Sequence, residues 1–149
     1  MITVNIYGLD QFLVGDISPV LGKDLAKIYE VDEDEINFIS TNNMVFHSGM
    51  EQTSWRVFVE VNVPKKLEVL QDQAAKVIIA HLSKSCIHID VLFHYYLQDH
   101  RVTHRNKDYP LYLEEKNVVN FESEYTEEME EGEEEDQIYT GDIFEGLKN

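Results

Sequence analysis

The sequence is poor in cysteine, proline and positive charge, and it contains no long apolar run. Cys86 is a single cysteine among 149 residues. No internal disulfide can form, and a reducing cytoplasm is the expected setting. No stretch reaches the roughly 20 apolar residues that a membrane-spanning helix needs. The opening Met1-Ile2-Thr3-Val4-Asn5 has neither the basic end nor the apolar run of a secretion signal. Lysine and arginine number 12 against 29 aspartates and glutamates, for a formal net charge of -17. Neutralising phosphates takes a basic surface, so neither nucleic acid nor an anionic membrane is expected as a partner. A phosphate-binding glycine loop, a nucleophile elbow and a cysteine pair are all missing, and no cofactor is expected.

The shortage of positive charge is uneven. Residues 1–113 hold 15 acids and 10 bases, whereas residues 114–149 hold 14 acids and 2 bases. Glu127 to Asp136 places eight carboxylates in ten positions, a self-repelling and solvated run. One domain over residues 1–113 is therefore expected, followed by a flexible acidic tail over 114–149. The tail also carries Phe121, Tyr125 and Met129 at helical spacing, and Ile138-Tyr139 and Ile143-Phe144 near its end. These could dock on the body or on a basic partner. The body has the length and the apolar content of an ordinary globular core.

What is present is a repeated pattern. Trp55, Val57, Val59, Val61 and Val63 alternate with Arg56, Phe58, Glu60 and Asn62, which predicts a strand with one buried face. Pro64 sets φ for a first helical turn. Leu67, Leu70, Ala74, Val77, Ile78, His81 and Leu82 then follow at helical spacing. Ile87, Ile89, Val91 and Phe93 alternate again with His88, Asp90, Leu92 and His94. Strand, helix and strand within about forty residues predict a βαβ unit with parallel strands and a right-handed crossover.

The first half repeats this order. Ile2, Val4 and Ile6 alternate with Thr3, Asn5 and Tyr7, and Gly8 ends the strand. Ser18-Pro19 reads as a helix start, followed by a stripe of Val20, Leu21, Leu25, Ile28 and Tyr29 that ends near Val31. Asp32 to Glu35 forms a charged turn, and the next strand spans Ile36 to Phe46. Ser48 to Gln52 is a turn. At an offset of about 52 residues the halves superpose, Val4 on Arg56, Leu25 on Val77 and Ile36 on His88. The expected fold is a two-layer α/β (α+β) domain, with tandem β-α-β units forming a four-stranded mixed sheet and both helices on one face. The other face, with Phe58, Leu92, Asn5, Tyr7, Arg56, Glu60, Asp90 and His94, then lies open as a candidate subunit interface.

A β-α-β-β-α-β chain whose first strand starts at residue 2 resembles the tautomerase superfamily, which includes 4-oxalocrotonate tautomerase and macrophage migration inhibitory factor (MIF). It is most similar to an uncharacterised bacterial branch that lacks the N-terminal proline. Ile36-Asn37-Phe38-Ile39-Ser40-Thr41-Asn42-Asn43, Val57-Phe58-Val59-Glu60-Val61, Asp72-Gln73-Ala74-Ala75-Lys76-Val77-Ile78 and Ile89-Asp90-Val91-Leu92-Phe93 carry the likeness, over roughly residues 1–110. It implies a homotrimer with the sheets around a central axis. It also implies an N-terminal proline as proton shuttle and a cation near the second strand to hold an anionic substrate. Here Ile2 follows Met1, and Asp32 to Glu35 occupy the place of the cation. Proline-dependent tautomerase activity is therefore not expected, and the expected role is a trimeric binding or assembly module rather than an enzyme.

An alternative remains open. The Met1 α-amine has a reference pKa of about 7.7–8 and could act as a base if burial lowered it, or it could be an ordinary ammonium. If the third strand runs antiparallel beside the first, Glu60 and Asn62 approach Met1, and Met1 with Glu60 becomes the candidate catalytic pair for a small carbonyl acid. Glu60 could equally make an ion pair at a subunit contact. Arg56 is expected to pair with a carboxylate such as Glu60. His94, Tyr95 and Tyr96 are placed at a pocket rim or subunit seam. His100 and His104 stand four apart, but no Glu follows His100, and no metal site is expected. Cys86, just before a buried strand, reads as inert.

Overall fold

Six strands and two helices carry the chain in a computed structural model that describes residues 1–41 and 43–113. One compact unit spans Met1–His104. A second begins at Arg105, and within its described part, 105–113, the Asp108 amide donates to Asn106 Oδ1 at 3.0 Å. The acidic tail expected from residue 114 lies outside the described residues.

Alternation sets the sheet. Strand β1 (Ile2–Tyr7) buries Ile2, Val4 and Ile6 and leaves Thr3, Asn5 and Tyr7 half-buried on its other face. Helix α1 (Gln11–Tyr29) follows, then a 3-10 turn at Glu33–Glu35 and strand β2 (Ile36–Ser40). A small hairpin comes next, of strands β3 (Phe46–His47) and β4 (Met50–Glu51). Strand β5 (Arg56–Pro64), a 3-10 turn at Lys65–Leu70, helix α2 (Gln71–Leu82) and strand β6 (His88–Tyr96) complete the second half. The main sheet has the order β2-β1-β5-β6. β1 pairs parallel with β2 and antiparallel with β5, and β5 pairs parallel with β6. This is the mixed four-stranded sheet that the two βαβ patterns require.

Val57, Val59, Val61 and Val63 of β5 meet Leu21 and Leu25 of α1 and Ala74, Ile78 and Leu82 of α2 in one core. Each valine, leucine or isoleucine side chain taken fully from water contributes roughly 1.5–3 kcal/mol, and this burial is what holds both helices on one face.

Several boundaries differ from expectation. α1 is capped by Asp10, whose carboxylate accepts from the Phe12 amide at 2.8 Å, and starts at Gln11 rather than at Ser18-Pro19. Pro19 lies inside the helix and cannot donate to the Gly15 carbonyl four residues back. The Ser18 hydroxyl takes over, donating to Gly15 O at 3.0 Å. A Ser-Pro pair that reads as a start is here an interior repair. Val20 is exposed, outside the core stripe. β2 stops at Ser40 rather than reaching Phe46, and α2 is preceded by a full 3-10 stretch. Trp55 precedes β5 in a turn, 56% exposed, its ring edge-on to His88, so it does not join the valine face.

The halves match one residue further along than the sequence offset. That shift pairs buried Val4 with Val57, Ile6 with Val59, Leu21 with Ala74, Leu25 with Ile78 and Tyr29 with Leu82. The smaller offset would set core Val4 against exposed Arg56. With a side-chain period of two, a slip of one residue exchanges the faces of a strand.

Candidate functional site

The parallel register Ile2↔Ile36 brings Met1 beside Glu35. The Met1 amine and the Glu35 carboxylate form an ion pair, both about two-fifths exposed. From the far edge of the sheet, the Tyr96 hydroxyl at the end of β6 donates to the Met1 carbonyl. After β6 the chain makes a 3-10 turn at Gln98–His100, and Arg101 Nη2 comes within 3.5 Å of the Met1 thioether sulfur. Met1, Thr3, Tyr96, His100, Arg101 and His104 line an open cleft of about 580 Å³ together with Val102 and Thr103. Among the described residues its lining brings Arg101, two histidines and hydroxyls and no carboxylate, while Glu35 holds the Met1 amine at its wall.

Glu60 lies one step away from this cleft. It stands opposite Asn5 on β1, with its carboxylate accepting from the Tyr7 hydroxyl at 3.0 Å and 3.8 Å from His94 Nε2. The Glu60 hydrogen bond, with some desolvation, raises the Tyr7 phenol above its ordinary range. Glu60 is therefore not the carboxylate paired with the Met1 amine; Glu35 is. Asn62 sits between Thr3 and His94 on the same open face.

Arg56 does not pair with Glu60. Its Nε and Nη2 both donate to Asp90 Oδ2 on the adjacent strand, at 3.1 and 3.0 Å, and its guanidinium lies 5.0 Å above the Phe58 ring. A cross-strand neighbour is closer than a residue two pleats along the same strand. Tyr95 points the other way from His94, toward the helices. There its hydroxyl donates to Gln71, its ring stacks on Phe93, and Lys65 lies 5.1 Å from its centroid. Burial raises its phenol as well. Cys86 donates its thiol to Leu82 O at 2.9 Å, and desolvation pushes the thiol up, away from the reactive thiolate. Among the described residues no three His, Cys, Asp or Glu side chains gather as metal ligands, and no helix is long and apolar enough to cross a membrane.

Sequence reasoning missed the roles of Glu35, Tyr7 and Arg101, and gave Tyr96 a pocket rim or subunit seam without its bond to Met1. Glu35 was within reach, because a parallel β1–β2 pairing with little stagger sets the residue before Ile36 beside Met1. Tyr96 required knowing that β6 runs its full length to the same end of the sheet.

Fold and cleft define a class: a two-layer α+β domain with the tautomerase, MIF-like fold, its first residue built into a cleft. The chain belongs to the family described as "Domain of unknown function (DUF1904)", whose model matches residues 1–105. No curated protein matches it. Solved structures do. A DUF1904 domain from Sebaldella termitidis ATCC 33386 is 20% identical, with a TM-score of 0.63, over 69% of this chain and 95% of that one. A protein of unknown function from Vibrio cholerae O1 biovar eltor is 19% identical, with a TM-score of 0.59, over 68% and 83%. A macrophage migration inhibitory factor-like protein from Entamoeba histolytica is 10% identical, with a TM-score of 0.56, over 69% and 93%.

Proposed function

We propose that this tautomerase-fold protein is a cytoplasmic, homotrimeric binding or assembly module without proline-dependent tautomerase activity. The observation that carries the reading is the engagement of Met1. Its amine is held by Glu35 and its carbonyl by Tyr96, while residue 2 is Ile. An amine donating to a carboxylate serves as an anchor for the strand end rather than as a proton acceptor. The open sheet face supports the assembly. Leu92 is exposed there, and Asn5 Oδ1 is buried without a hydrogen-bond partner among the described residues, a polar atom that a neighbouring copy can satisfy. Phenylpyruvate tests the activity half: no keto–enol turnover above buffer is expected. Turnover that disappears when the N-terminus is acetylated would overturn the reading. Sedimentation velocity tests the trimer.

A second reading is an enzyme acting on a small carbonyl acid with the Met1 amine and Glu60. The cleft beside Met1, lined by Arg101 and two histidines, favours it. Glu60, bonded to Tyr7, would act there through the sheet face and not by direct contact with the amine. Under this reading Glu60→Gln lowers turnover at unchanged oligomeric mass, and under the first it changes mass or stability.

A further inference from the structure

Met1 is held at three points, and the third is its sulfur. Glu35 pairs with the amine, the Tyr96 hydroxyl donates to the carbonyl, and Arg101 Nη2 donates to the thioether at 3.5 Å. A thioether is a weak acceptor, so the third contact makes little use of a guanidinium. It nevertheless ties Arg101 to a residue 100 positions earlier, at the wall of the open cleft, where Met1 is 40% exposed. Arg101 follows directly on the 3-10 turn Gln98–His100, which is lightly fastened. The His100 amide donates to Leu97 O at 3.0 Å and the Arg101 amide to Gln98 O at 3.2 Å. Beyond it Val102 is 96% exposed. The position of this wall therefore depends in part on how well the Met1 sulfur accepts a hydrogen bond.

We propose that Met1 is an oxidation site whose sulfoxide latches Arg101. The co-reactant is a hydroperoxide, of which hydrogen peroxide is the simplest. Sulfur attacks one peroxide oxygen and the O–O bond breaks. The proton on the transferred oxygen passes to the departing one, which leaves as water. Sulfur gives up two electrons and the peroxide takes them, so the products are methionine sulfoxide and water. The guanidinium that touches sulfur is placed to hold the incoming oxygen and then to keep it. An oxygen acceptor facing a charged donor makes a much stronger bond than a thioether does. Oxidation thus fastens the cleft wall to the start of β1 and withdraws Arg101 from the cleft. Cys86 does not compete for the peroxide, because its thiol is buried and donates to Leu82 O. The step needs neither an assembly nor a turnover, so it stands or falls apart from the function proposed above.

The test uses the full chain with Met44→Leu, Met50→Leu and Met129→Leu, which leaves Met1 as its one methionine. Hydrogen peroxide is added, peptide mass mapping follows the oxygen on Met1, and hydrogen exchange reads the His100 and Arg101 amides. Full oxidation is expected to slow their exchange about tenfold, the effect of gaining one charge-assisted hydrogen bond. With Arg101→Leu added, Met1 should still oxidise, but exchange at the His100 amide should not slow. The wild type is mapped in parallel, where Met44 and Met50 are exposed references. Met1 left unoxidised there while both references are converted overturns the site. Unchanged or faster exchange after full oxidation, or the same slowing with Arg101→Leu, overturns the latch.

Discussion

His81 Nε2 on α2 lies 3.0 Å from Asp24 Oδ2 on α1, so two side chains 57 positions apart clasp the helices together. Hydrogen bonding from His81, and then from Lys27, holds the Asp24 carboxyl below its ordinary value. A carboxyl depressed in the folded state adds stability above its unfolded pKa, and that stability is lost as pH falls through the folded one. The loss belongs below about pH 4. Urea midpoints taken across that range should fall more steeply for wild type than for Asp24→Asn. Parallel curves would remove the clasp from the acid response.

Gly8 closes β1 at φ 77°, and a Cβ added there would stand 2.7 Å from Arg56 O and 2.8 Å from Val45 Cγ2. Backbone strain and collision act in the same direction. Gly8→Ala is expected to cost about 1–3 kcal/mol in chemical denaturation. A neutral result would mean that the base of the hairpin can move aside.

Leu25 is fully buried between α1 and the sheet, whereas Val69 in the 3-10 turn is almost fully exposed. Leu25→Ala should lose about 2–5 kcal/mol, and Val69→Ala should stay within about 0.5 kcal/mol of wild type. Equal losses would place the core elsewhere.

Tyr7 is raised above an ordinary phenol chiefly by its hydrogen bond to Glu60. Glu60→Gln should let this phenol ionise at lower pH, read from the Tyr7 ring carbon in a nuclear magnetic resonance titration. A resonance that titrates identically in both proteins would mean that the pair is not formed in solution.

Much of the fold was legible because burial leaves a periodic trace. Val57 to Val63 and Ile2 to Ile6 each show a period of two, and Ala74, Ile78 and Leu82 return every four. Helix α1 was half hidden: its opening turns carry Gly15 and Asp16, while Ser18-Pro19 imitates a cap. The site was far less legible. Arg56 choosing Asp90 over Glu60, and Tyr95 facing the helices while Tyr96 faces Met1, follow from pairing between strands that lie far apart in sequence.

The sequence alone determined the four strands of the main sheet, the two helices and most of the buried side chains, since alternation and helical spacing are local consequences of one wet and one dry face. Only the tertiary structure decided that Glu35 and Tyr96 close on Met1 and that Glu60 turns to Tyr7 and His94. Those contacts depend on strand order and register, and register comes from the fit of the whole core, which no single stretch of residues encodes.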